Sequence, residues 1–257
     1  MRFKDQLHRT VNLSKTPSRI ISLVPSQTEL LVDLGLRDKI VGVTKFCVHP
    51  VELRKEKMVV GGTKQVRLDK IEKLNPDFIL CNKEENTAEM VRELETIAPV
   101  WVTDMYDIPD CYEMISGLGA VLNVKDKARD IVDQIEKGVS DFKLFMKDKP
   151  SLTVLYTIWK NPYMVAGKDT FIDKLLELNK FNNAITDVNS RYPEVALSKM
   201  KDVDVVLLAT EPYPFKEEDV QALQKELGNN VKLVDGEFFS WYGSRLIKAF
   251  DYFKTLH

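Results

Sequence analysis

The sequence has little of what most catalytic and metal sites are made of. Histidine occurs three times in 257 residues, at His8, His49 and His257, too few and too scattered for a metal cluster. Cysteine also occurs three times, at Cys47, Cys81 and Cys111. An odd number without a CxxC pair argues against a disulfide framework or a structural zinc site, so the three are read as small packed apolar residues. Cys47 and His49 have a spacing that would put both on one face of a strand, as a metal pair needs; the plainer alternative is a packed Cys beside a loop-facing His. GxGxxG, GxxxxGK[ST], GxSxG and HExxH are missing, which removes dinucleotide, P-loop, α/β-hydrolase and zincin readings at the motif level. No apolar run approaches the roughly 20 residues that span a bilayer. The opening residues, Met1 to Gln6, lack the apolar centre of a signal peptide. Either the protein is cytoplasmic and starts at Met1, or it is periplasmic or otherwise extracytoplasmic and a leader has been removed. A formal net charge of -2 gives no electrostatic reason to expect nucleic acid.

What is present is alternation. Hydrophobic residues make up 44% and charged residues 30%, ordinary for a globular chain. Short β-rich apolar runs at Ile20 to Val24, Ile40 to Val43, Met58 to Val60, Asp77 to Cys81 and Val100 to Val102 are followed by polar turns and helical spacing. The pattern predicts a mainly parallel sheet covered by helices. From Val124 to Asp148, Ala128, Ile131, Val132, Ile135, Val139, Phe142 and Phe145 recur every three or four residues, which predicts one helix on the order of 37 Å long. Strand and helix signals then resume at Leu152 to Ile158, Thr170 to Leu178, Val203 to Ala209, Glu217 to Leu227, Val231 to Val234 and Ser244 to Leu256. The expected fold is therefore α/β, with two Rossmann-like lobes: residues 1–123, a linking backbone helix over 124–149, and residues 150–257.

In such sheets ligands bind beyond the carboxyl ends of the strands. The first lobe places Gln27, Thr28, Lys45, Phe46, Thr63, Lys64, Asn82, Met105 and Tyr106 there. The second places Trp159 to Met164, Tyr192, Glu211 to Tyr213 and the run Glu237-Phe238-Phe239-Ser240-Trp241-Tyr242-Gly243-Ser244-Arg245. Four aromatics within five residues, interleaved with Glu, Ser and Arg, are expected to offer a stacking surface with polar handles to a flat ligand. The alternative is that Phe238 and Phe239 are core and only Trp241 and Tyr242 reach solvent.

Arg19-Ile20-Ile21-Ser22-Leu23-Val24-Pro25-Ser26-Gln27-Thr28-Glu29-Leu30, Val41-Gly42-Val43-Thr44, and Leu68-Asp69-Lys70-Ile71 with Asn75-Pro76-Asp77-Phe78-Ile79 resemble the substrate-binding proteins of ABC importers for cobalamin and ferric siderophores. Asn161-Pro162-Tyr163-Met164-Val165-Ala166-Gly167-Lys168-Asp169, Asp204-Val205-Val206-Leu207 and Trp241-Tyr242-Gly243-Ser244-Arg245 continue the resemblance, which runs from about residue 3 onward. It implies two lobes rigidly joined by one backbone helix and a monomeric binding protein without catalytic residues or intrinsic cofactor. The implied ligand is a corrinoid such as cobalamin, a tetrapyrrole or a ferric chelate, held in a cleft between lobes. Phe46, Thr63, Asn82, Met164, Tyr192, Glu237 and Trp241 would surround it, although positions 63, 82 and 192 are Trp in the cobalamin-binding member. The resemblance also implies docking on an ABC transporter permease through one acid on each lobe: Asp69 at the first position, and Glu194 close to the second, where Ser198 stands. Two alternatives stay open: a cytoplasmic relative that buffers or senses such a ligand, and a two-lobed metalloenzyme.

Overall fold

The apolar runs form strands because helices cover both faces of the sheets they build, so successive side chains are buried whichever way they point. Phe78–Asn82 and Val205–Ala209 are buried at every position. The computed structural model describes residues 1–228 and 230–257. These fall into two compact units: Met1–Met105, Pro109–Glu136 and Trp241–Ile247 in the first, and Tyr106–Ile108, Lys137–Ser240 and Lys248–His257 in the second.

In the first unit five parallel strands lie in the order Met58–Val59, Ile40–Val43, Ile20–Ser22, Phe78–Asn82, Val100–Thr103. The chain starts at the middle strand, works to one edge, then returns to Phe78–Asn82 and works to the other. The connections after Ile20–Ser22 and Phe78–Asn82 therefore diverge, which opens a crevice at their carboxyl ends. Ile21, Leu23, Ile79, Cys81, Val100 and Val102 pack with Met90, Val91 and Leu94 of the helix Ala88–Glu95 in one core cluster. Thr87 caps that helix by accepting from the Met90 N–H at 3.2 Å. A hairpin of Arg2–Lys4 and Thr10–Asn12 lies outside the expected alternation. Buried Asp5 ties it to the sheet, accepting from the Val102 N–H at 3.1 Å and from Arg9 Nε at 2.8 Å.

In the second unit the parallel order is Phe181–Asn183, Leu152–Trp159, Val205–Ala209, Asn230–Val234, with Met164–Val165 antiparallel on Leu152–Trp159. Here the chain reverses between Leu152–Trp159 and Val205–Ala209, so Trp159 ends a strand at the divergence. The helix Glu217–Leu227 stops at Gly228, whose φ of 73° is the left-handed conformation that glycine enters without a Cβ clash.

The predicted long helix runs from Lys125 to Phe145, and residues on both sides of Glu136 belong to different units. Its second half is fixed by aromatic packing. Phe142 is fully buried, with ring centroids 6.0 Å from Phe145, 6.0 Å from Phe250 and 5.9 Å from Phe253. One turn earlier Gly138 lets the Phe250 ring approach so closely that a Cβ there would lie 2.4 Å from it. Helix propensity alone favours Ala over Gly by about 1 kcal/mol, but the ring must move to admit the methyl. Gly138→Ala is therefore expected to destabilise the protein by about 1–3 kcal/mol, and Phe250→Leu in the same chain to recover part of that loss; thermal melts of the single and double variants check both.

Candidate functional site

The carboxyl edge of the first unit is organised by buried polar groups. Phe78–Asn82 and Val100–Thr103 pair so that Asn82 stands beside Thr103. The Asn82 amide Nδ2 donates to the Thr103 carbonyl at 3.2 Å and to its hydroxyl at 3.1 Å. The Thr103 hydroxyl donates in turn to the Cys81 carbonyl at 3.2 Å. It also accepts from Gln27 Nε2 at 2.5 Å, and the same nitrogen donates to the Tyr242 hydroxyl at 3.1 Å. Gln27, Asn82, Thr103 and Tyr242 are all buried. Burial pushes the Tyr242 phenol well above its ordinary range, so it stays protonated.

Asn82 also shapes the loop that follows it. Its Oδ1 accepts from the Glu84 N–H at 2.8 Å and the Glu85 N–H at 3.1 Å, while its own N–H donates to Asn86 Oδ1 at 2.8 Å. Asn86 Nδ2 reaches across to the Thr63 carbonyl at 2.7 Å, and Lys64 Nζ to the Glu84 carbonyl. Thr63 and Lys64 are thus joined to the loop after Phe78–Asn82. Glu85, absent from the sequence-based candidates, sits in that loop with its carboxyl near the Thr63 hydroxyl. Burial raises the carboxyl pKa, opposed by the Lys64 charge and the Thr63 hydroxyl. The signal in the sequence is Asn82 and Asn86 four residues apart around a Lys-Glu-Glu run.

The aromatic run after Glu237 does not form one stacking surface. Its first residues, Glu237 to Ser240, lie in the helix Gly236–Ser240 that follows the strand Asn230–Val234, and its members fall in both units. Phe238 stacks on Tyr252 at 4.7 Å, and Phe239, fully buried, packs on Tyr156 at 5.0 Å and Phe253 at 4.7 Å, all within the second unit. Trp241 belongs to the first, 6% exposed, with His49 edge-on at 5.3 Å and the Arg245 guanidinium 4.8 Å from its ring centroid. Tyr242 is 8% exposed, so the alternative in which those two rings reach solvent fails as well. Arg245 is committed to Glu29 by two hydrogen bonds of 2.8 and 2.9 Å. The Gly243 N–H donates to Cys111 Sγ at 3.2 Å. These contacts hold the segment Trp241–Ile247 on the helices Pro25–Asp33 and Ile108–Val121.

The other candidates lie as follows. Phe46 is 48% exposed beside Lys45, whose ammonium is 4.9 Å from the ring centroid. In the second unit Trp159 is 42% exposed and meets Tyr213 edge-on at 5.5 Å. Met164 and Glu194 form an isolated antiparallel bridge, and the Tyr192 ring lies 5.9 Å from the Arg191 guanidinium. Glu237 opens the helix Gly236–Ser240, its N–H donating to Asp235 Oδ1 at 3.0 Å. Asp69 is exposed in the first turn of Leu68–Lys73 and paired with Arg67 at 3.0 and 3.1 Å, which lowers its pKa. Cys47 is buried between the Thr28 and Thr44 hydroxyls at 3.1 and 3.3 Å, and His49 faces Trp241. Among the described residues no three His, Cys, Asp or Glu come together in a way that could hold a metal ion, and no helix is long and apolar enough to cross a membrane.

A family model described as periplasmic binding protein matches residues 20–229. The ABC transporter substrate-binding lipoprotein YvrC of Bacillus subtilis is 29% identical over 191 residues, covering 71% of this chain and 60% of that protein. The vitamin B12-binding protein of Pectobacterium carotovorum is 22% identical over 237 residues, covering 91% of this chain and 86% of that protein. A periplasmic heme-binding protein from Pseudomonas aeruginosa shares the fold, with a TM-score of 0.80 at 22% identity over 93% of this chain and 92% of that one.

With Trp241 enclosed, Trp241→Ala is expected to lower stability by about 3–5 kcal/mol. A fall in melting temperature of the apo protein checks this; an unchanged melt would mean the ring contributes little to the fold.

Proposed function

The chain belongs to the periplasmic binding protein family, and from that premise we propose that it is the extracytoplasmic, monomeric substrate-binding component of an ABC importer. Its ligand is a compact metal chelate: a corrinoid, a tetrapyrrole or a ferric siderophore. The observation that carries the reading is the carboxyl edge of the first unit. There a buried hydrogen-bonded network fixes the loops after Ile20–Ser22 and Phe78–Asn82 on either side of the crevice. A site of this kind is built before the ligand arrives, which cuts the ordering cost of binding. Nothing in it resembles a nucleophile and base in reach of one another: the nearby thiols are buried, and Cys111 is pushed up to about 12.

Ligand contacts are assigned by position. In the first unit Thr63, Lys64 and Phe46 rim the edge, while Gln27, Asn82, Tyr242 and Arg245 hold it in shape and Trp241 backs it. In the second, Trp159 is the last residue of Leu152–Trp159, Met164 the first of the antiparallel strand Met164–Val165, and Tyr192 and Glu237 follow Phe181–Asn183 and Asn230–Val234, with exposed Trp159 the ring best placed to stack. Asp69 and Glu194 are both exposed acids, available to Arg residues of a permease.

Absorbance titration of the purified protein with cyanocobalamin, haemin and a ferric hydroxamate is expected to give one-to-one binding of one of the three. A rise in melting temperature should accompany it, since a ligand at 100 times its Kd adds about 2.7 kcal/mol. Absence of binding by all three would defeat the reading. Asp69→Lys is expected to weaken capture of permease-containing membranes by about tenfold while leaving ligand affinity unchanged, because the docking charge acts through complementarity at a separate surface.

A further inference from the structure

Resting on the reading of Asp69 as a docking acid, we propose that Arg67 regulates that docking: its guanidinium holds the Asp69 carboxylate as a resident stand-in for the permease arginine, and so keeps docking weak and readily released.

The geometry of the pair is the first part of the argument. Arg67 Nε donates to Asp69 Oδ1 at 3.0 Å and Nη2 donates to Oδ2 at 3.1 Å, so one planar fork engages both carboxylate oxygens. An arginine arriving from a partner would recognise the acid by the same fork. The two side chains are 62% and 52% exposed, so the pair stands where a partner can meet it. Pairing lowers the Asp69 pKa, which keeps the carboxylate charged.

The second part is that the fold does not use the Arg67 side chain. Among the described residues Asp69 is its one partner. The backbone of Arg67 does the structural work: its N–H donates to the Val60 carbonyl at 2.7 Å, and its carbonyl accepts from the Lys70 and Ile71 N–H groups at 3.0 and 3.1 Å. An exposed ion pair adds little to stability. Glu194, the acid expected at the second docking position, is exposed and in no ion pair among the described residues, so the masking is particular to Asp69.

Electrostatics supplies the third part. With Arg67 in place the acid presents almost no net charge to a cation still a Debye length away, about 8 Å at physiological salt. The helix Leu68–Lys73 brings no surplus of negative charge, since Glu72 is set against Lys70 and Lys73, and Lys73 adds to the positive field at Asp69. Docking therefore exchanges one arginine–carboxylate pair for another, or makes two arginines share one acid. Either way the net gain is small. A protein that must dock, deliver and leave is served by a contact of this kind.

The test measures capture on permease-containing membranes for wild type, Arg67→Gln, Asp69→Lys, Asp69→Asn and the double variant Arg67→Gln/Asp69→Asn, with melting temperatures as the control for folding. At low salt Arg67→Gln is expected to bind about three- to fivefold tighter than wild type, the scale of one exposed ion pair. The gain should disappear in about 1 M salt, where the Debye length falls to about 3 Å, and the double variant should bind no tighter than Asp69→Asn. If Asp69→Lys weakens capture but Arg67→Gln binds no tighter than wild type, or its gain survives in the Asp69→Asn background, the role of Arg67 is overturned and the docking reading stands. Unchanged capture of Asp69→Lys, or no capture of wild type, overturns the docking reading and this inference with it.

Discussion

The hydroxyl of Thr103 is the point through which the first unit's carboxyl edge is organised. It takes hydrogen bonds from Gln27 and Asn82 and gives its own to the Cys81 carbonyl, so donor and both lone pairs are used. From Gln27 the network passes to Tyr242 and the segment Trp241–Ile247; from Asn82 it passes to residues 84–86 and on to Thr63. Gln27, Asn82, Asn86, Thr103 and Tyr242 are buried, where an unsatisfied polar group costs about 1–3 kcal/mol, while the bonds to the Glu84 and Glu85 N–H groups and to the Thr63 carbonyl are half-buried. A shift of Asn82 or Thr103 would break bonds that water is not there to replace. The parallel register of Phe78–Asn82 on Val100–Thr103 is what puts Asn82 and Thr103 side by side, and the apolar core beneath enforces that register.

This division of labour explains why most polar candidates at the edge are turned inward. Gln27 donates to Thr103 and Tyr242, Asn82 bonds Thr103 and residues 84–86, and Arg245 holds Glu29, so Gln27, Asn82, Tyr242 and Arg245 act on a ligand through the shape they enforce. Phe46, Thr63 and Lys64 remain at the rim. A binding protein gains from that separation, since rigid inner groups set geometry and outer groups can differ between relatives without loss of the fold.

The fold was largely legible because its signals are local. The buried runs at Ile20, Ile40, Phe78, Val100, Leu152 and Val205 declared themselves as parallel strands. The helix Glu217–Leu227 was readable to the residue, since Gly228 ends it. Short elements without an apolar run escaped notice: the Arg2–Lys4 hairpin, the Met164–Val165 strand, and Phe181–Asn183. Such segments owe their structure to a partner elsewhere in the chain. The same holds for the site. Strand ends could be located from the sequence, but the fate of each side chain could not, because the deciding contacts are remote: Arg245 with Glu29 is separated by 216 residues and Tyr242 with Gln27 by 215. The aromatic run looked like a ligand surface because nothing near it in sequence reveals His49 and Glu29 waiting for Trp241 and Arg245. Glu85 was not among the sequence candidates, because the loop that holds it is set by the amides of Asn82 and Asn86.

That remoteness has a consequence for biosynthesis. The first unit takes its strands and most of its helices from residues 1–136, yet it is completed by Trp241–Ile247. During translation its sheet can assemble early, but Tyr242 cannot reach Gln27, nor Arg245 reach Glu29, until the intervening second unit has been synthesised. For that interval the emerging chain carries a nearly finished unit in which the Gln27 amide has Thr103 but not Tyr242 and the Glu29 carboxylate lacks Arg245, at the place where the crevice will form. The nascent protein must therefore remain soluble with this edge open, and the step that closes it is a long-range docking event of high contact order, slower than the folding of either sheet.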